Sequence, residues 1–231
     1  MPVMAAKKHT AVSKKTSTSV KLGQTVGMSA DVKQLAKRLA DKHTLPLNWV
    51  QKQIANARWV PGVLKQIMPP TSPQQKNWAA YRARFLTECR IQAGVRFWQT
   101  HADTLTKAAQ VFGVDASYIV GILGVETFYG QNMGTYPLMD VLTTLSLRFP
   151  TQHPQAAERQ AFFEDELGHY LRQQRTQPNA SKPKGSYAGA IGWPQFMPSS
   201  VARFAVDFDG DGRIDLINSP VDAIGSVANY F

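Results

Sequence analysis

The chain has 231 residues, 43% of them hydrophobic, which allows one large domain or two small ones around a sizeable core. Its net charge is +10, and half of that excess sits on Lys7, Lys8, Lys14, Lys15 and Lys21, in an opening segment with no acids. A basic chain favours a polyanionic partner, but no helix carries several Arg at base-reading positions and no basic stripe alternates with aromatics, so nucleic acid is excluded as the expected partner. Cys89 is the only cysteine, which rules out an intramolecular disulfide and a cysteine-based metal site. The longest apolar run, YIVGILGV (118–125), falls far short of the roughly 20 residues that cross a bilayer.

Residues 1–28 are rich in Lys, Ser and Thr without periodicity and read as a disordered basic leader. They lack the apolar core of a signal peptide, so a secretory signal is absent or lies outside this chain. Ser29 is a candidate N-cap, followed by Val32, Leu35, Ala36 and Leu39 at helical spacing. Leu47, Val50 and Ile54 mark a second helix, and MPPTSP (68–73) a linker. Residues 29–75 form an N-terminal helical segment, and residues 76–231 the main core. Trp78, Tyr81 and Phe85 fit one helix face. Ile91, Val95, Trp98, Ala102 and Leu105 fit another, ending at Gly113. Asp115 is placed to cap a helix through SYIVGILGVETFYG. Leu138, Val141, Leu142 and Leu145 give one more helix, Phe162, Phe163, Glu166, Leu167 and Tyr170 the next, and VDAIGSVANYF the last. The fold class expected is mostly α (α+β), with a small hairpin near a cluster of aspartates. Phe231 falls inside an apolar helical pattern with no stop signal, so the chain reads as cut at its C-terminus.

The aspartates lie in DFDGDGRID. Asp207, Asp209 and Asp211 take positions 1, 3 and 5 of an EF-hand-like loop, Gly212 the sharp turn at position 6, and Arg213 the position that offers a backbone carbonyl. Ca²⁺ takes hard oxygen ligands, and its charge offsets the repulsion among the carboxylates. Position 12, normally a bidentate Glu, is Asn218, so Asp222 is the candidate closing ligand. A solvated Asp/Gly turn without metal is the alternative.

In YIVGILGVETFYG the stripe of Ile119, Ile122 and Leu123 continues by helical spacing to Glu126. A carboxyl group removed from water either pairs with a cation or keeps its proton. A proton-holding Glu is the general acid of glycosidic bond cleavage. No Lys or Arg lies within one turn of Glu126, which leaves a partner from elsewhere in the chain as the competing reading.

Six segments, in this order and spacing, resemble the lytic murein transglycosylase B family: GVETFYG (124–130), DVLTTLSLRFP (140–150), FFEDEL (162–167), KGSYAGAIGWPQFMPSS (184–200), AVDFDGDG (205–212) and PVDAIGSVANYF (220–231). The resemblance implies a lysozyme-like fold and cleavage of the β-1,4 bond between N-acetylmuramic acid and N-acetylglucosamine without water. The muramic acid's C6 hydroxyl attacks C1 and leaves a 1,6-anhydro end. It implies Glu126 as the single acid and base, Ser186, Gln195 and Met197 along the saccharide groove, and Tyr81 and Tyr230 as aromatics that hold sugar or glutamate. The aspartate loop becomes one structural Ca²⁺ site with Asp222 as its late ligand. The implied partner is the peptidoglycan glycan strand, met by a monomer without a transmembrane segment, in the periplasm or at the inner face of the outer membrane. A non-catalytic wall-binding module and a water-using muramidase remain alternatives.

Overall fold

The computed structural model describes residues 20–70, 77–176 and 182–231. Eleven helices and one short strand pair are found among them. α1 (Ala30–His43) begins where Ser29 accepts a hydrogen bond from Val32 N, the cap expected from the sequence, and ends on left-handed Thr44. α2 (Leu47–Asn56), α3 (Pro61–Gln66), α8 (Leu138–Leu147) and α9 (Ala156–Thr176) pack with α1 around one core. Leu35, Ile54, Leu138, Leu142, Phe163 and Leu167 are all fully buried there. Each such side chain contributes about 1.5–3 kcal/mol by leaving water, which fixes these helices more firmly than local propensity does.

A second core joins α5 (Glu88–Thr100), α6 (Ala102–Phe112), α7 (Ala116–Thr127) and α11 (Pro220–Tyr230) through Phe97, Leu105, Ile119, Leu123, Ile224 and Val227. α4 (Trp78–Phe85) buries none of its residues. β1 (Tyr136–Pro137) pairs antiparallel with β2 (Lys184–Gly185), and α10 (Pro198–Phe204) precedes the aspartate loop. The segment 191–197 bridges the two cores. Ile191 belongs to the first and Met197 packs on it, while Trp193 packs on the second.

Several expectations are corrected. The single helix expected to end at Gly113 is two, broken at His101; Leu105 is buried as expected, with Ala108, but the buried face of α5 is Ala93, Gly94 and Phe97. Ile91, Val95 and Trp98 are exposed; an apolar stripe was read one register away from the true contact, because Gly94 let a neighbouring aromatic approach where no side chain stands. No strand is found near the aspartates among the described residues; the strand pair, β1 with β2, joins segments on either side of α8 and α9. Of the expected leader, residues 1–19 lie outside the described residues. Val20, Leu22 and Val26 pack on the first core, and Gly23 N and Val26 N donate to the carbonyls of Trp59 at 2.7 Å and Ala57 at 2.8 Å. The boundary expected at residue 75 does not divide the core, since α1–α3 share theirs with α8 and α9. Half of the linker expected over 68–73, residues 71–73, lies outside the described residues.

Candidate active site

α7 is nearly all apolar and starts at Asp115, whose carboxylate accepts from Ser117 N at 2.7 Å. Its end is abrupt. Phe128, Tyr129 and Gly130 are all left-handed, with φ of 53°, 55° and 77°. Tyr129 N returns to Leu123 O at 3.0 Å, which closes the last turn. Two non-glycine residues in succession in this region store strain that only surrounding contacts can hold. The Tyr129 hydroxyl supplies one such contact. It sits against Gly94 of α5 and Gly124 of α7, in a slot that a Cβ at either position would fill.

Glu126 therefore stands in the last turn of α7, beside that strained end. The face of Ile119 and Leu123 continues to Thr127, which is 1% exposed, and not to Glu126, which opens to solvent. The stripe expected to bury Glu126 thus passes one residue to its side. Even so, the packed helix end thins the water around it, and partial burial raises its carboxyl from its ordinary value. The carbonyl end of the helix acts in the same direction, since its partial negative charge disfavours a carboxylate. Among the described residues no hydrogen bond or ion pair engages the Glu126 carboxyl. Arg90 of α5 donates to the carbonyls of Gly124 and Val125, just before Glu126 in the chain, and lies over the rings of Phe85 and Phe128.

The loop from β2 to α10 closes over this end. Thr127 Oγ1 donates to Trp193 O at 2.9 Å and accepts from Gly130 N at 3.0 Å. Gln195 Nε2 donates to Met133 O at 3.2 Å and to Gly192 O at 2.9 Å. Gln195 is itself left-handed, with φ of 51°, right after Pro194. Three of the four non-glycine residues in that region thus cluster here. Ser186 follows β2, and its Oγ accepts from Ala188 N at 3.2 Å and Ala190 N at 3.0 Å, so its proton remains for an outside acceptor.

The other sequence candidates fall around this centre. Tyr230, half exposed, lies 5.6 Å from the ring of Phe196, the residue that follows Gln195 in sequence, and edge-on to Phe204. Met197 leans on the first core. Tyr81, exposed on α4, stacks on Trp78 and tilts against Phe85, and the Arg90 guanidinium over the Phe85 and Phe128 rings links it to the α7 end. Sequence reading missed Thr127, Tyr129, Arg90 and Trp193. Only the unusual aromatic-then-Gly ending of an apolar helix hinted at the first two.

In the aspartate loop, Asp207, Asp209 and Asp211 bring one carboxylate oxygen each within 4.8 Å of one another. Asp207 Oδ1 and Oδ2 accept from Gly210 N and Gly212 N, each at 2.7 Å, and Asp211 Oδ1 from Arg213 N at 2.8 Å. The donor set is hard, exposed and converging, and it fits Ca²⁺. Asp222 is different. It is 1% exposed, and its two oxygens accept from Phe208 N and Asp215 N, each at 2.8 Å. The residue expected as a late ligand braces the loop from beneath.

A two-core helical domain with one unpaired carboxyl at a strained helix end, roofed by a strand-anchored loop, has the form of a lysozyme-like glycan-cleaving fold. The chain belongs to the Transglycosylase SLT domain family, which it matches over residues 27–231. It is 39% identical to membrane-bound lytic murein transglycosylase B of Escherichia coli (strain K12), over 92% of this chain and 59% of that protein. The structure of the Escherichia coli lytic transglycosylase Slt35 in complex with calcium superposes with a TM-score of 0.77 at 39% identity, covering 91% of this chain and 65% of that one. SltB1 from Pseudomonas aeruginosa gives 0.79 at 40% identity, covering 88% and 64%. The chain thus spans about three fifths of the curated relative's length. Among the described residues, no single helix is long and apolar enough to cross a membrane.

Proposed function

We propose that this chain is a peptidoglycan lytic transglycosylase in which Glu126 is the only protein acid and base. The observation that carries this is the place of Glu126: in the solvent-facing last turn of α7, beside the loop of Gln195, with no hydrogen bond or ion pair to its carboxyl among the described residues. A protonated Glu126 gives its proton to the glycosidic oxygen leaving C1 of N-acetylmuramic acid. The carboxylate that results takes the proton of the C6 hydroxyl, whose oxygen bonds to C1 and closes the 1,6-anhydro ring. Protonation and deprotonation balance at one residue. A second carboxylate at about 5–5.5 Å, which a retaining hydrolase uses as nucleophile, is not required when the substrate's own acetamide stabilises C1.

Ser186, Gln195 and Met197 line the glycan groove in this mechanism, and Tyr230 and Tyr81 offer ring faces to the sugars. Ser186 suits the role because its proton is unclaimed, and Gln195 because its amide oxygen is free while its nitrogen is anchored. One Ca²⁺, held by Asp207, Asp209 and Asp211 and the carbonyl of Arg213, stiffens the loop between α10 and α11. The protein works as a monomer on glycan strands of the periplasmic wall.

The test is mass spectrometry of soluble products after incubation with purified peptidoglycan. Anhydro-muropeptides are expected. Reducing muropeptides would identify a hydrolase instead, and no soluble product from a folded chain would identify a wall-binding module.

A further inference from the structure

Away from the glycan groove, α1 and α9 meet along a polar seam. Arg38 pairs with Glu164 at 3.0 Å, and Lys42 with Asp165 at 2.8 Å. Beside them lies a group with no role in the mechanism above. His43, the last residue of α1, is 8% exposed. Asp165 and His169 stand four residues apart on α9, so they share one face of that helix. One potential ligand atom from each of the three residues lies within 4.8 Å of the others.

The contacts within this group are close without being hydrogen bonds. His43 Nε2 lies 3.1 Å from Asp165 Oδ1, an oxygen that Lys42 Nζ also approaches at 2.8 Å; both atoms are buried, and the contact between them lacks the alignment of a hydrogen bond. His169 Nε2 is 3.9 Å from Asp165 Oδ2, and its Nδ1 is buried and unpartnered. A buried polar atom without a partner costs about 1–3 kcal/mol. The His43 nitrogen and the Asp165 oxygen, close but not aligned, have the separation that two ligands of one ion would have: ligands at about 2.0–2.1 Å from a tetrahedral metal stand a little over 3 Å apart. The backbone also makes room. The His43 imidazole lies directly on Gly168, where any Cβ would collide with the ring.

We infer that His43, Asp165 and His169 form a binding site for a divalent transition metal of the zinc class, which ties the end of α1 to α9. Two imidazoles and one carboxylate are a borderline-soft set, suited to Zn²⁺ and unsuited to Ca²⁺, so this site and the aspartate loop select different ions. One carboxylate against a divalent ion leaves a net charge of +1 and one position for water. Lys42 competes for Asp165 Oδ1, but its side chain is 62% exposed and moves into solvent at little cost when the ion enters. The site is a structural clamp, since its ligands come from two helices of the first core.

The test is calorimetric titration of the full chain, free of any polyhistidine tag, with ZnCl₂ in excess CaCl₂, so that the aspartate loop is filled. Co²⁺ absorption in the visible reports the ligand geometry in parallel. One ion per chain is expected, with the intense cobalt spectrum of a four-coordinate site and a rise in melting temperature. His169→Ala, at a part-exposed position that leaves the buried His43 in place, should weaken binding at least tenfold, as the loss of even an outer partner of a metal ligand typically costs about 10–100-fold. Asp165→Asn should do the same. Absence of Zn²⁺ binding by the wild type would overturn the assignment. So would undiminished binding in both variants, and so would binding that is lost only in Asp207→Asn, which would place the ion in the loop.

Discussion

The hydroxyl of Thr127 donates to the carbonyl of Trp193 at 2.9 Å, and this bond joins the helix end that carries Glu126 to the loop that carries Gln195. The same oxygen accepts from Gly130 N, so one buried hydroxyl satisfies two backbone groups, one after the helix and one in the loop. Thr127→Val keeps the shape and removes both bonds. It should destabilise the fold by about 1–3 kcal/mol, measured by denaturant unfolding, and should lower turnover of peptidoglycan further than the stability loss accounts for. Turnover equal to the wild type's at a temperature where both are fully folded would show that this link does not position Glu126.

Glu126→Gln should abolish anhydro-muropeptide release while the helical content is unchanged. Its stability has a defined sign. Burial raises the folded carboxyl above its unfolded value, so the folded state binds more protons. The stability of the wild type is then fully present below the unfolded value and is lost as pH rises through the folded one. The glutamine variant lacks that loss. It should equal the wild type in acid and exceed it at neutral pH, in thermal melts taken across that range. A wild type that gains stability over the variant as pH rises would mean that Glu126 is paired with a cation.

Calcium should raise the melting temperature, and a chelator should reverse the rise, because a ligand bound only by the native state stabilises it by about 2.7 kcal/mol at a hundred times its Kd. Asp211→Asn should weaken the response by removing a ligand. Asp222→Asn should act differently. One of its oxygens becomes an amide that faces a backbone N–H, so the loop loosens and the protein is less stable even without calcium. An Asp222 variant that matches the wild type in chelator would instead make it a ligand and not a brace.

Glu166 is 2% exposed and accepts from both Ser199 N at 2.8 Å and Ser199 Oγ at 2.6 Å. It ties α9 to the start of α10, just beyond the groove loop. Two hydrogen bonds to a charged acceptor are worth roughly 3 kcal/mol together. Glu166→Ala should lose about that much in equilibrium unfolding, and more than Ser199→Ala, which keeps the backbone donor. Equal losses in the two variants would show that the hydroxyl alone carries the tie.

The sequence by itself determined the helices whose apolar spacing is strict, such as α1 with its Ser29 cap and α8 with its four buried aliphatic residues. It also determined the converging aspartates, because ligand spacing on a tight loop is local, and it singled out Glu126, because a carboxyl in an apolar helix is conspicuous. Only the tertiary structure decided which face of α5 is buried, since Tyr129 fills the space over Gly94 from another part of the chain. It gave Asp222 its backbone partners, the N–H groups of Phe208 and Asp215, which no side-chain pattern reveals. It showed Glu126 at the edge of the core and not inside it, because the helix ends through Phe128 and Tyr129, held left-handed by contacts from α5 and from the loop at Trp193. The seam of His43, Asp165 and His169 had the same character: two of its members are four residues apart and legible, and the third arrives from a helix more than a hundred residues earlier, where only packing brings it into reach.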